Sequence, residues 1–182
     1  MTAANEETTV ANEKIREAND DRRVRTGGCQ CGAVRFSTIG PLGEASVCYC
    51  RMCQKATGGA FGLFVRVDSD RLTWTRGAPK YFVSSNVAKR GFCGDCGTPL
   101  TWEYEGWIDL TVASFDQAAE IEPVVQMAVG AQYPWLWRLD AIDVREPASD
   151  PDYATFLASV RSYQHPDHDT DVWPPAGSVR NE

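Results

Sequence analysis

Residues 48–53 read Cys-Tyr-Cys-Arg-Met-Cys and contain three of the seven cysteines of the chain. The other four form two close pairs, Cys29 with Cys31 upstream and Cys93 with Cys96 downstream. A C-x-C pair and a C-x-x-C pair from distant parts of a chain can together close a tetrahedral zinc site. The central C-x-C-x-x-C then supplies three thiolates to a second metal and leaves a fourth position open. Closed zinc sites are typically structural and open ones catalytic, so we predict one of each, two Zn²⁺ per chain.

Disulfides, a redox-active pair and buried apolar cysteines each explain this pattern less well. Spacings of one or two residues rarely allow disulfide geometry, and an odd number of cysteines leaves one thiol over. A thioredoxin-like pair is expected as a lone C-x-x-C beside a βαβ pattern, which the sequence lacks. Buried cysteines are common but are not usually clustered in this way. Metal binding is therefore the favoured interpretation.

The acidic balance of the chain bears on its partners and location. The formal net charge is −7, and seven thiolates with two Zn²⁺ would bring it to about −10. Such a chain lacks the basic surface needed for nucleic acid or an anionic membrane, and no apolar run approaches the ~20 residues of a membrane span. We expect neither partner, and reduced thiols predict a cytoplasmic location. A homo-oligomer is left open.

The order of polar, β-rich and proline-rich segments predicts three regions. Residues 1–25 are polar and form an N-terminal arm. Residues 26–140 contain about ten short β-rich runs separated by Gly and Pro, which predict a mostly β domain stapled by zinc. Residues 134–137, Pro-Trp-Leu-Trp, are expected to form a closing or edge strand. Residues 141–182 form a C-terminal extension with one short helix over 152–163.

Three motifs occur in order at residues 28–36, 48–58 and 90–100. They read Gly-Cys-x-Cys-Gly-x-Val-Arg-Phe, Cys-x-Cys-x-x-Cys-x-Lys-x-x-Gly and Arg-Gly-Phe-Cys-x-x-Cys-Gly-Thr-x-Leu. Together they resemble the glutathione-dependent formaldehyde-activating (GFA) family, also called the CENP-V/GFA domain family, over residues 26–137. The resemblance implies a zinc-stapled β-tent of short antiparallel strands. It also implies a structural zinc on Cys29, Cys31, Cys93 and Cys96, and a catalytic zinc on Cys48, Cys50 and Cys53.

The resemblance further implies a reaction. The family synthesises S-(hydroxymethyl)glutathione from glutathione and formaldehyde, which is carbon–sulfur lyase chemistry run in reverse, so glutathione is the expected thiol. Two positions depart from the family pattern, because the family usually has His where Tyr49 and Gln126 stand. The alternative is a non-catalytic zinc-binding interaction module, in which both metals only stabilise the fold. A fourth protein ligand at the Cys48 site would favour that alternative.

Several other side chains lie close in sequence to the cysteines or have the chemistry of a site residue. A zinc ion with three thiolates carries a formal charge of −1, so a nearby cation would help it to accept another thiolate. Lys55 is the preferred cation, ahead of Arg51, and for Arg90 a surface location is as well supported as any role. A turn is favoured over anion binding for residues 57–59. The aromatic side chains Trp102, Trp107, Trp135 and Trp137 are expected in the core or an interface, and His165 and His168 are expected in solvent.

Overall fold

The computed structural model describes residues 22–174. Most of the predicted arm, residues 1–21, lies outside the described residues, and so do residues 175–182 of the predicted extension. The described part is mostly β and contains two sheets, which confirms the predicted fold class. No helix within it is both long enough and apolar enough to cross a membrane.

The smaller sheet has three antiparallel strands in the order β1-β2-β5. These are β1 (Val24–Gly28), β2 (Arg35–Ile39) and β5 (Leu72–Arg76). The larger sheet has seven strands: β3 (Ala45–Cys48), β4 (Gly62–Val67), β6 (Lys80–Val83), β7 (Ala88–Phe92), β8 (Pro99–Tyr104), β9 (Trp107–Thr111) and β10 (Val125–Met127). Their order is β10-β3-β4-β9-β8-β7-β6. Every pair is antiparallel except β10 with β3, which run parallel.

The apolar core joins the two sheets. Phe36 from the smaller sheet belongs to one cluster with Val65 and Leu110 from the larger sheet, and each of these side chains is at most 1% exposed. Phe36 also makes an edge-to-face contact with Phe115, with ring centroids 5.1 Å apart. Full burial of side chains of this size contributes about 1.5–3 kcal/mol each. The core therefore fixes how the strands carrying the cysteines face one another.

A short helix that the sequence pattern did not predict follows β3. Helix α1 (Arg51–Thr57) begins at Cys50, whose Sγ accepts a hydrogen bond from the Cys53 backbone N–H at 3.4 Å. It ends at Gly58, which has φ of +68°. A left-handed residue of this kind is a common end of a helix and favours glycine. The cysteine spacing and Gly58 are the signals that could have located it.

The prediction of a strand over residues 134–137 is wrong. Residues Pro134–Ala141 form 3₁₀ turns, with Leu136 N–H bonded to the Tyr133 carbonyl at 3.0 Å. Proline at the first position has no N–H to give to a sheet ladder, and its fixed φ suits the start of a turn. Further on, α2 (Pro151–Ser159) is capped by Asp150, which accepts from Tyr153 N–H at 2.9 Å. This helix overlaps the predicted range 152–163 but begins one residue earlier and ends four residues earlier.

Residues 164–174 return to the turn that carries Cys29 and Cys31, and here the sequence expectation for His165 is wrong. His165 is 3% exposed, and its backbone N–H donates to the Gln30 carbonyl at 2.7 Å. The Trp173 indole N–H donates to the Cys31 carbonyl at 2.8 Å. His165 is buried because the ring packs against Gly32, where a side chain would collide with it. His168 is exposed, as predicted.

Candidate metal centres

The four outer cysteines come together between two turns. Cys29 and Cys31 lie in the turn after β1, and Cys93 and Cys96 lie in the turn between β7 and β8. The four sulfur atoms all lie within 4.8 Å of one another, with Cys29 to Cys31 at 3.6 Å and Cys31 to Cys93 at 3.8 Å. A tetrahedron with Zn–S bonds of about 2.3 Å has sulfurs about 3.8 Å apart. The donor set therefore fits one zinc ion with all four positions taken by protein.

Backbone N–H groups point at these sulfurs and hold the two turns in shape. Val34 N–H donates to Cys29 Sγ at 3.2 Å, and Asp95 N–H donates to Cys93 Sγ at 3.4 Å. Burial raises the pKa of Cys93 to about 11. Burial acts the same way on Cys96, but hydrogen bonds from Thr98 outweigh it and lower the pKa of Cys96 to about 7. N–H donors of this kind favour thiolate over thiol, which is the form that binds metal.

The three central cysteines come from one strand end and the start of one helix. Cys48 is the last residue of β3, Cys50 caps α1, and Cys53 lies in the first turn of that helix. Their sulfurs also lie within 4.8 Å of one another. Within residues 22–174, no fourth Cys, His, Asp or Glu joins this group. These residues can hold a metal ion by three ligands, and the fourth position is not filled by any described side chain of those types.

Helix α1 is held in place by the loop that precedes β4 and by residues that follow β10. The Gln54 side chain is buried and donates to the carbonyls of Ala60 at 3.2 Å and Ala131 at 3.1 Å. The Arg51 guanidinium donates to the Tyr133 hydroxyl at 2.9 Å. These contacts fix the helix that positions Cys50 and Cys53. Arg51 therefore has a partner outside the sulfur cluster.

Arg90 is the cation that reaches the sulfurs. It is 9% exposed on β7, and its Nη2 donates to Cys53 Sγ at 3.3 Å. Burial raises the pKa of the Cys53 thiol to about 12, while the hydrogen bond from Arg90 acts to lower it. The sequence alone gave Arg90 no preferred role. The alternation of side chains along β7 could have indicated that Arg90 is buried, because Ala88 and Arg90 share the buried face while Lys89 between them is exposed.

Lys55, the cation preferred from the sequence, is exposed on α1 two residues beyond Cys53. Two residues correspond to about 200° around a helix, so Lys55 and Cys53 lie on different faces. Residues 57–59 end the helix: Gly58 is left-handed, and the Thr57 hydroxyl lies 3.0 Å from the carbonyls of Cys53 and Phe61. The favoured turn interpretation agrees with this geometry.

Tyr49 and Gln126, the two departures from the family pattern, contact each other. The Tyr49 hydroxyl donates to Gln126 Oε1 at 3.2 Å, and the Gln132 side-chain amide donates to the same oxygen at 3.3 Å. Tyr49 is buried and packs edge-to-face on Phe61, with centroids 5.8 Å apart. The two substitutions thus form one neutral hydrogen-bonded group next to the strand end that carries Cys48.

The tryptophans divide into two groups. Trp102 is partly buried and packs against the cluster of Cys48, Cys53 and Phe64. Trp107, Trp135 and Trp137 are 48%, 44% and 68% exposed, so a place in the core is wrong for these three, and a place in an interface stays a prediction. The Arg66 guanidinium instead lies over the Trp107 ring, with Arg66 Cζ 4.3 Å from the ring centroid.

Comparison with known proteins gives one family. Residues 24–131 match the family model described as glutathione-dependent formaldehyde-activating enzyme. The chain is 32% identical over 88 residues to a Halomonas elongata protein whose name assigns it provisionally to these enzymes; the match covers 43% of this chain and 55% of that protein. It is 31% identical over 78 residues to an uncharacterized lyase of Schizosaccharomyces pombe, covering 43% of this chain and 56% of the lyase. The chain thus spans about half the length of these curated relatives.

A solved structure is also similar. The crystal structure of a Rhodobacter sphaeroides protein, determined as a structural genomics target, superposes with a TM-score of 0.46 at 21% sequence identity. The superposition covers 56% of this chain and 99% of that chain.

Proposed function

The chain belongs to the glutathione-dependent formaldehyde-activating enzyme family, and from that premise we propose that it is a zinc-dependent carbon–sulfur lyase acting on a thiol adduct of a small carbonyl. The first candidate reaction joins glutathione and formaldehyde to give S-(hydroxymethyl)glutathione. The observation that carries this proposal is the three-cysteine group, which has no fourth ligand of the usual kinds among residues 22–174. An open position is what a substrate atom needs in order to enter.

The two cysteine groups take different roles in this proposal. Cys29, Cys31, Cys93 and Cys96 hold a structural zinc, because four sulfurs at tetrahedral spacing leave no room for a substrate ligand. Cys48, Cys50 and Cys53 would hold the catalytic zinc. A zinc ion held there would supply a position for a thiol to bind as its thiolate near neutral pH, where a free thiol with a pKa of about 8.5 is mostly protonated.

The reaction balances with the thiol and the aldehyde alone. The sulfur electron pair forms a bond to the carbonyl carbon, the carbon–oxygen double bond gives its electron pair to oxygen, and oxygen gains the proton that the thiol lost. The reverse direction breaks the same carbon–sulfur bond, which is the lyase direction. The chain's part is to orient the thiolate, because effective molarity from correct positioning can supply several kcal/mol of the barrier. Cys50 as helix cap and the buried Gln54 contacts give the site that fixed geometry.

Titration calorimetry of glutathione into zinc-loaded protein tests the proposal, followed by a formaldehyde-consumption assay. S-methylglutathione is the matched control because it differs from glutathione at the sulfur and cannot form a thiolate. We expect binding of glutathione and no comparable binding of the control. Equal affinities for the two compounds would show that binding does not depend on coordination of the metal by the thiolate sulfur. Binding of neither compound to protein with two zinc ions would favour the non-catalytic zinc module.

A further inference from the structure

Arg90 is a buried cation without a carboxylate partner among residues 22–174. The one hydrogen bond of its side chain within the described part of the chain goes to Cys53 Sγ at 3.3 Å. The neighbouring Lys89 pairs with Glu103 at 3.0 Å and projects from the other face of β7, so that carboxylate is engaged elsewhere. A buried charge is costly unless it is paired, and an unpaired guanidinium is therefore unusual in a folded protein.

Among residues 22–174, the sulfur cluster is the group placed to compensate the charge of Arg90. Cys53 is 6% exposed and Cys48 is 8% exposed, and Phe64 and Trp102 pack around them. In this apolar setting an interaction between charges is stronger than at a solvent-exposed surface. Three thiolates around one zinc ion carry a formal −1, and the guanidinium brings the sum to zero. A second anion arriving at the site then meets a neutral assembly instead of a negative one.

From this geometry we propose that Arg90 is the positioning residue of the three-cysteine site. Its guanidinium, hydrogen-bonded to Cys53 Sγ at 3.3 Å, offsets the charge of the thiolate substrate and so gives the site its preference for anionic over neutral ligands. The proposal rests on the proposed function, because it assumes a metal ion at Cys48, Cys50 and Cys53. It replaces Lys55 in the role of charge support, since Lys55 lies exposed on another face of α1.

The local backbone explains how β7 presents Arg90 to this site. The pairing register of β7 with β8 shifts between Gly91 and Phe92. Gly91 N–H donates to the Thr101 hydroxyl at 2.9 Å, and a side chain at Gly91 would meet that oxygen at 2.5 Å. Irregularities of this kind re-aim side chains next to functional sites. Here Arg90 faces the three-cysteine site, while Cys93, three residues later, belongs to the four-cysteine site.

The test compares two small ligands of the zinc-loaded protein. 2-Mercaptoethanol binds as an anionic thiolate and has no carboxylate, whereas imidazole is a neutral zinc ligand. Arg90→Gln should lower the ratio of 2-mercaptoethanol affinity to imidazole affinity at least about tenfold, because it removes a buried charge-assisted contact. Arg90→Lys keeps the charge but not the planar fork, so it should lower the ratio about threefold. Lys89→Gln, on the same strand but the opposite face, is the matched control and should leave the ratio unchanged.

Each outcome decides a different point. Wild-type protein that carries two zinc ions but binds no thiol overturns the proposed function, and this inference falls with it. Wild-type protein that binds the thiol, with an unchanged ratio in Arg90→Gln or equal losses for both ligands, overturns the role of Arg90 alone. If Arg90→Gln does not retain zinc, the Arg90→Lys variant decides, and a ratio equal to wild type counts against the proposal.

Discussion

The ion pair of Arg35 and Asp116 gives the sharpest test of how the fold is held together. Both side chains are 3% exposed, and two Arg35 nitrogens donate to the two carboxylate oxygens at 2.8 and 2.6 Å. The Thr26 hydroxyl donates to the same carboxylate at 2.5 Å. Burial alone would raise the pKa of Asp116, but the hydrogen bonds from Arg35 and Thr26 hold it below its ordinary value. The carboxylate is thus stabilised in its charged form.

The perturbation is Asp116→Asn, which leaves Arg35 with one carboxylate partner, Asp169, whose side chain is 49% exposed. Breaking a buried pair by removing one partner typically costs roughly 3–5 kcal/mol, because the other charge stays buried. In a chain of this length each kcal/mol lowers the melting temperature by about 2–4 °C. We therefore expect the Tm of zinc-loaded protein, followed by circular dichroism, to fall by roughly 6–20 °C.

Two further variants make this measurement decisive. Asp169→Asn removes the exposed partner and should cost at most about 1 kcal/mol. Arg35→Met combined with Asp116→Leu removes both buried charges and should be less destabilising than Asp116→Asn alone. The only partner left over is Asp169, whose side chain is 49% exposed and can be hydrated. Similar Tm values for Asp116→Asn and Asp169→Asn would refute the reasoning. So would a double variant as unstable as Asp116→Asn, with zinc content equal in all samples.

Three other predictions follow from the sites and turns. Cys29→Ala or Cys96→Ala should lower Tm and zinc content together, because a closed zinc site contributes folding energy. Cys50→Ala should lose one zinc ion and glutathione binding with a smaller fall in Tm. Equal falls in Tm for the three variants would contradict this prediction. Burial, with the nearby charges of Arg35 and Arg76, lowers the pKa of His165. The unfolded chain therefore binds the proton more readily, and the stability of the fold should decline as pH falls below about 6.5. His165→Gln should flatten that part of a curve of Tm against pH, and an unchanged slope would count against this prediction. Gly32 and Gly58 both have positive φ, but a side chain at Gly32 would meet the His165 ring at 2.1 Å, whereas Gly58 has open space around it. In urea unfolding, Gly58→Ala should lower the free energy of unfolding by about 1 kcal/mol, and Gly32→Ala should lower it clearly more. Equal costs would show that the His165 segment does not pack against Gly32.

The cysteine groups were predictable from sequence because ligand spacing is a local property. A C-x-C or C-x-x-C turn brings two sulfurs together whatever the rest of the chain does, so Cys29 with Cys31 and Cys93 with Cys96 could be paired in advance. The strands were predictable for a similar reason, since alternation and Gly or Pro breaks are visible in short windows. The helix at residues 51–57 was not, because seven residues show too little periodicity to recognise.

The misplaced residues are those whose surroundings come from distant parts of the chain. His165 lies in a polar, proline-rich segment, and its burial depends on Gly32, more than a hundred residues earlier. Pro134 and Trp135 are the exception, because a local 3₁₀ turn with no buried side chain sets their conformation. Arg90 is a charged residue on a strand, for which an exposed position is the ordinary expectation. Only the tertiary contact with Cys53 reveals that it faces a candidate site.

The strand β7 connects the two candidate metal centres, so the four-cysteine centre can influence the geometry of the three-cysteine centre. Arg90 lies on that strand, and Cys93 follows its end directly. Three residues of strand span only about 10 Å, so movement of the Cys93 turn would carry Arg90 with it. A metal ion closing Cys29, Cys31, Cys93 and Cys96 would fix that turn against the end of β1. The closed site would then do more than stabilise the fold, because it would also set the position of the cation that faces Cys53.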